Sequence, residues 1–144
     1  MVLRAAAVTM TLLAGLAAAG CGSTPMPTAP AAVTDSVIGV TGVSPALGTP
    51  LLSGQVVTFT GTASYALNTA GTGVLYMIIQ DQANKSLQDT QPSAQVVKGP
   101  GDVMLSQTIT LPQAGVTSVR VFFALLPAGA TATNASVAVT YSVK

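Results

Sequence analysis

The chain has 144 residues, of which 6% are charged and 49% are hydrophobic, and it contains no histidine. This length accommodates one domain of ordinary size with short appendages. After residue 20, four lysine or arginine residues balance four aspartates, so the side-chain charges cancel. A chain whose charges balance in this way after residue 20 lacks the positive charge that nucleic-acid binding and polybasic membrane patches require, which excludes both modes of binding.

Residues 1–20 have the pattern of an export signal. Arg4 supplies a positive start, and the apolar stretch that follows is shorter than the roughly 20 residues that a membrane-spanning helix needs. Small side chains stand directly before Cys21, which is the only cysteine of the chain. The segment therefore predicts a signal peptide over residues 1–20 that is removed by a signal peptidase.

The residues around Cys21 resemble the lipobox of bacterial lipoproteins, in which a short aliphatic and small-residue tripeptide precedes a lipidated cysteine. The family usually has Leu, Val or Ile three residues before the cysteine, where this chain has Ala18. The resemblance implies cleavage between Gly20 and Cys21. It also implies diacylglycerol and an N-acyl lipid at Cys21, with no other cofactor. Gly22 then implies a lipid anchor in the outer membrane of a bacterial cell envelope.

Ordinary secretion is the alternative interpretation of the same segment. The three alanines 17–19 satisfy the small-x-small rule of the general signal peptidase, whose cleavage would leave a soluble β-sandwich without a lipid anchor. Cys21 would then be a free thiol near the new terminus. Because an unpaired thiol is a liability in an oxidising compartment, the solitary cysteine favours lipidation.

The segment after the cysteine, GSTPMPTAPAAVTD, has three prolines and no aromatic residue. Such a composition cannot bury enough apolar surface to offset the entropy lost on ordering. We therefore predict that residues 21–35 form a lipidated, Pro/Ala/Thr-rich disordered tether. In the extended limit of about 3.1 Å per residue, the tether reaches about 40 Å.

From residue 36 onward, the hydrophobic pattern changes to the period of two that is typical of half-buried strands. In QVVTFTGTA, for example, Val57 and Phe59 alternate with threonines. Clusters of Gly, Pro, Asn and Asp separate the runs, as tight connections require. We assign 36–144 to one domain and predict strands at 36–43, 54–66, 73–81, 85–90, 94–98, 102–111, 117–126 and 134–143.

Seven or eight short strands in a domain of about 110 residues indicate an all-β fold with two antiparallel sheets, and an up-and-down barrel is the structural alternative. The segments GVSPALGTPLLSGQVVTFTGTAS and LPQAGVTSVRVFFAL resemble the immunoglobulin or fibronectin type III superfold of bacterial surface proteins. The resemblance implies an immunoglobulin-like β-sandwich. It implies no particular function, because this superfold hosts many.

The residue types in the chain offer few candidates for catalysis or metal binding. Without histidine, Ser-His-Asp and Cys-His hydrolysis are excluded, and four scattered aspartates are poor candidates for a glycosidase pair. Zinc and copper need histidine or thiolate ligands, and the aspartate loops match no calcium-binding spacing. We predict no catalytic residue, no metal site and no enzymatic activity.

Two predicted strands have apolar residues on both faces, although only one face of each strand can point into the core. In VLYMIIQD, every second residue faces the core, which places Tyr76 and Ile78 on the opposite face. In SVRVFFALLP, the same alternation places Arg120 and Phe122 on that opposite face. Since immunoglobulin-like topology makes these strands neighbours, we predict one partner-binding patch of these four residues. The alternative is structural, because such residues favour strands for their own sake and another segment could cover them.

The sequence thus predicts a non-catalytic, lipid-anchored cell-envelope protein that presents an immunoglobulin-like interaction or adhesion domain to a protein partner. A carbohydrate-binding module, in which exposed aromatic rings stack on sugars, is the alternative. It is the weaker one, because the chain has no tryptophan and only three tyrosines and three phenylalanines. A structural spacer without any ligand is a third interpretation.

Overall fold

The structure is a computed structural model that describes residues 34–144. These residues form an antiparallel all-β fold without helices, as the sequence predicts. The strands are β1 (Ser36–Ser44), β2 (Val56–Asp81), β3 (Ser93–Thr110), β4 (Ser118–Pro127) and β5 (Ala135–Ser142). In this part of the chain, no helix is long and apolar enough to cross a membrane.

A single curled sheet contains all five strands, in the order β1-β2-β4-β5 with β3 also paired to β2. β2 is long enough to have different neighbours along its length. Its first half pairs with β1 and β3, and its second half pairs with β3 and β4. The side chains on the inner face of both halves therefore contribute to one common core.

The sheet bends where the register between β2 and β3 shifts. Residues 68–71 of β2 lie between the pairs Leu67↔Gly99 and Thr72↔Val97, opposite a single residue of β3. Such an insertion bends the strand without ending it. Gly99 lies at this point with a φ of 107°, a conformation that favours glycine.

The predicted number of seven or eight strands is too high for residues 34–144, which form five. The predicted strands 54–66 and 73–81 are the two halves of β2, and 94–98 and 102–111 are the two halves of β3. The predicted strand 85–90 is an irregular segment. The glycine and proline residues between these runs are typical of strand ends, but in the folded chain they lie in the bend of β2 and β3.

The core packs side chains from the two halves of the sheet against each other. A Cβ atom added to Gly61 on β2 would lie 2.7 Å from Cζ of Phe123 on β4, so the phenylalanine ring lies directly on the bare glycine backbone. The rings of Phe59 and Tyr141 lie with their centroids 5.4 Å apart, and the Tyr141 hydroxyl donates a hydrogen bond to the Pro45 carbonyl at 2.8 Å. These contacts link β2 to β4 and β5 across the interior.

Asp35, which the sequence analysis assigns to the end of the tether, is buried in the folded domain. Its carboxylate accepts hydrogen bonds from the backbone N–H groups of Asn68 and Thr69 at 2.7 and 2.9 Å. The Thr69 hydroxyl and the Asn134 amide, the latter at 3.3 Å, donate to the same carboxylate. Asp35 thus joins the start of the domain to the bend of β2 and to the loop between β4 and β5.

Candidate functional site

The four residues of the predicted patch lie together on the outer face of the sheet, which we call the outer patch: Tyr76, Ile78, Arg120 and Phe122. Ile78 of β2 is directly opposite Phe122 of β4, and both side chains are partly buried. The alternate residues of β2 are fully buried in the core: Leu75, Met77 and Ile79. The predicted division of this strand into an inner and an outer face is therefore confirmed.

Arg120 is held over the aromatic ring of the outer patch. Its guanidinium carbon lies 4.7 Å from the centroid of the Phe122 ring, within the range of a cation–π contact. Nη1 of Arg120 also donates a hydrogen bond to Oδ1 of Asn84 at 3.1 Å. Two contacts thus orient the guanidinium at a partly exposed position, so less side-chain entropy remains to be lost when a partner binds.

A shallow groove runs beside the Phe122 ring. Its volume is about 180 Å³, and it is lined by Ile78, Gln80, Phe122, Ala124, Thr133 and Ser136. On β5, the residue opposite Phe122 is Ala138, whose small side chain is exposed. The groove lining therefore combines three apolar side chains with one amide and two hydroxyl groups, an arrangement that suits one inserted side chain of a partner.

Several residues of this groove are not members of the predicted patch. Gln80 lies on the same parity as Ile78 and could have been included from the strand period alone. Thr133 and Ser136 lie in and after the β4–β5 loop, and only the β4–β5 pairing places them beside the patch. The largest exposed apolar side chains lie elsewhere: Ile38, Leu47, Leu52, Val56, Val97 and Met104.

The aspartates of the described domain have structural partners or lie apart from one another. The carboxylate of Asp81 accepts hydrogen bonds from the backbone N–H groups of Ala83 and Lys85, both at 2.8 Å, and so stabilises the turn that follows β2. Among residues 34–144, no three acidic or cysteine side chains are grouped so that they could hold a metal ion.

The structure also provides a titratable group whose environment is unusual. Burial by itself raises the pKa of Asp35, but the hydrogen bonds from Thr69, Asn68 and Asn134 outweigh this effect and lower the pKa to about 2. Each of these donors favours the ionised carboxylate. The role of Asp35 is therefore structural, because its oxygens are occupied by the chain itself.

The second predicted site, the cleavage and lipid attachment position at Gly20 and Cys21, lies outside the described residues. No protein-family model matches the chain, and no curated protein shows significant similarity to it. The outer patch is thus the candidate site that the folded domain itself presents.

Proposed function

We propose that this chain is a non-catalytic protein of the bacterial cell envelope, anchored to the outer membrane through lipids on Cys21. In this proposal, residues 1–20 direct export and are removed. The domain that follows is an immunoglobulin-like interaction module, and the outer patch binds a protein partner. The observation that carries the binding role is the arrangement of Arg120, Phe122 and Ile78 on one outer face.

The anchor is supported by the solitary cysteine and by the position at which the chain joins the domain. Thr34 and Asp35 are fixed to the bend of β2 by hydrogen bonds with Asn68. Thr34 is 13 positions after Cys21, so at about 3.1 Å per residue the domain could stand up to about 40 Å from the bilayer. This reach allows the domain to meet a partner on a neighbouring envelope protein.

The immunoglobulin-like description is supported by the way the two halves of the sheet pack. Phe123 lies against Gly61, and Phe59 packs against Tyr141, so inward-facing residues of both halves interdigitate as they do between the layers of a sandwich. A fold of this kind presents its outer faces and its loops to partners.

The binding role is supported by the chemistry of the outer patch. Arginine and aromatic side chains are enriched at protein contacts, and Arg120 is held in place by Phe122 and Asn84. Next to them, the groove offers space for an apolar side chain with hydrogen-bonding groups in its lining. These features favour a protein partner over a sugar, which would need a more exposed aromatic face.

The anchor is tested by labelling cells that express the full chain with a palmitate analogue. We expect the wild-type chain to incorporate the label and to fractionate with the outer membrane, and Cys21→Ser to lose both properties. The double variant Cys21→Ser/Ser23→Cys is the matched control, since it restores a thiol away from the lipobox position and should stay unlabelled. An unlabelled wild-type chain in the soluble fraction would support ordinary secretion instead.

The outer patch is tested by placing the photo-crosslinking amino acid benzoylphenylalanine at Tyr76 in intact cells. We expect a discrete crosslinked protein, and we expect Phe122→Ala to reduce its yield at least severalfold while changing the unfolding free energy by less than about 1 kcal/mol. Ile38→Ala, which truncates an exposed apolar side chain on β1, is the matched control and should leave the yield unchanged.

Two outcomes would contradict the proposal that the outer patch binds a protein partner. Equal yields for Phe122→Ala and the wild type would show that the partner contacts another surface. Binding of the purified domain to a glycan array, abolished by the same substitution, would favour the carbohydrate-binding alternative.

A further inference from the structure

One edge of β3 has no neighbouring strand in the described part of the chain. β3 pairs only with β2, and within residues 34–144 no backbone hydrogen bond outside this ladder involves residues 99–110. The other two edge strands, β1 and β5, are less accessible to a further strand. β1 has two register shifts, and the end of β5 is bridged by Leu51. Both features hinder the addition of a further strand.

The hydrogen bonds of the ladder show which backbone groups of β3 face outward. The Leu111 N–H donates to the Gln55 carbonyl at 2.8 Å, so this residue faces β2. Because the direction alternates along an antiparallel strand, the preceding even-numbered residues direct their N–H and C=O groups away from β2. These residues are Met104, Ser106, Thr108 and Thr110. The Gln107 side chain donates to the Thr108 carbonyl at 3.4 Å, in agreement with this direction.

Residues 103–110 of this edge contain none of the residue types that prevent pairing with a further strand. Residues 103–110 read VMLSQTIT, without charge, proline or glycine, whereas natural proteins protect exposed edges with lysine, proline or a bulge. Met104 is 70% exposed on the outer face. A groove of about 600 Å³ separates residues 107–110 from the segment 87–90, so there is space for a strand beside the edge.

We propose that β3 pairs with β3 of a second copy of this chain, in antiparallel orientation across a two-fold axis at Ser106. In this register Met104 lies opposite Thr108 of the second copy on the outer face, and Val103 lies opposite Ile109 of the second copy on the inner face. The outward backbone groups of each copy meet those of the other. Two curled sheets thereby become one continuous sheet.

A second copy can pair with the outward N–H and C=O groups of β3, because two-fold symmetry supplies a strand with the same spacing and hydrogen-bonding pattern. Each paired position between residues 103 and 109 joins two residues without charge, so no like charges face each other along the paired strands. The net charge of the folded domain is also zero, since Lys85, Lys98, Arg120 and Lys144 balance four aspartates. No long-range repulsion therefore opposes the approach of two copies. The proposal does not depend on the lipid anchor.

The test is the molar mass of the full chain, purified in detergent and measured by sedimentation equilibrium in density-matched buffer. Ser106→Lys would place two lysines opposite each other at the axis. Thr108→Pro would remove one outward N–H group without removing a backbone hydrogen bond to β2, a position that an edge strand tolerates, although the side-chain hydrogen bond to Thr58 is lost. Thr60→Lys is the matched control, because Thr60 is the β2 partner of Ser106 and adds the same charge away from the edge.

We expect the wild type and Thr60→Lys to form dimers, and Ser106→Lys and Thr108→Pro to dimerise at least tenfold more weakly. Phe122→Ala should dimerise normally, because the outer patch lies on other strands. Circular dichroism should show the same strand content for every variant. If one edge variant is unfolded, the other decides the result.

Three outcomes would overturn the proposal. The first is a wild-type chain that stays monomeric at about 100 µM, where a dimer with a Kd of about 10 µM would be well populated. The second is a dimer that withstands both edge substitutions. The third is a dimer that Thr60→Lys weakens as strongly as Ser106→Lys. A monomer that binds a peptide of residues 102–111 would show that the edge accepts a strand but not a second domain.

Discussion

Replacing Phe123 with alanine should lower the free energy of unfolding by about 3–5 kcal/mol, the range for truncation of a buried aromatic residue. The ring is 1% exposed and lies between the two halves of the curled sheet. Gly61 on the opposite side has no side chain that could move into the space left behind. The loss should be visible as a lower urea midpoint with a nearly unchanged slope.

The adjacent residue provides the control for this substitution. Phe122 has the same side chain on the outer face of the same strand, and Phe122→Ala should cost less than about 1 kcal/mol. Since small domains are stable by only about 5–15 kcal/mol, Phe123→Ala should leave a domain that is marginally folded at 37 °C. Similar losses for both variants would mean that β4 does not divide its side chains between core and surface as described.

Replacing Asp35 with alanine should lower the free energy of unfolding at neutral pH by about 2 kcal/mol, since hydrogen bonds to charged groups are among the stronger ones. The substitution removes the acceptor for the backbone N–H groups of Asn68 and Thr69 in the bend of β2. It also releases the Asn134 side chain in the β4–β5 loop. Urea unfolding of both chains at pH 7 measures the difference.

The contribution of Asp35 should disappear in acid. The pKa of Asp35 is about 2 in the folded chain and 3.8 without these contacts, so the unfolded chain takes up a proton first as the pH falls. Stability from this group is therefore fully present above about pH 4 and is lost between about pH 4 and pH 2. The difference between the wild type and Asp35→Ala should shrink over this window.

A constant difference between pH 7 and pH 2 would contradict this account, because it would mean that the charge of Asp35 contributes nothing. Asp89→Ala serves as the control at pH 7. It removes one carboxylate from an exposed loop position and should change the unfolding free energy by less than about 0.5 kcal/mol.

The inner faces of the strands could be predicted directly from the sequence. Side chains alternate along a strand whatever it pairs with, so the spacing of Leu75, Met77 and Ile79 was enough to place them in the core. The same alternation placed Phe123 inside and Phe122 outside. That the outer residues of β2 and β4 adjoin each other was predicted from the resemblance to immunoglobulin-like topology.

The continuity of β2 and β3 could not be predicted in this way. Between the predicted strands, the sequence NTAG at 68–71 and the sequence KGPG at 98–101 have the composition of turns. In the folded chain both segments belong to the strands, with Gly101 paired to Tyr65, and the ladder resumes after the bend at Thr72↔Val97. The Tyr65 ring lies over this glycine, since an added Cβ would be 2.7 Å from its hydroxyl oxygen. A contact between strands thus compensates for residues that are weak strand formers.

Three properties follow from the sequence alone: the strand class, the division of side chains between core and surface, and the balance of four positive and four negative side chains after residue 20. Each of these follows from composition or from the period of two, which depends only on neighbouring residues. Three other properties depend on contacts between distant parts of the chain: the number of strands, the open edge of β3 and the role of Asp35. Asp35 binds Asn68 and Asn134, which are 33 and 99 residues away along the chain. Such partners are set by the pairing of distant strands, which local periodicity does not encode.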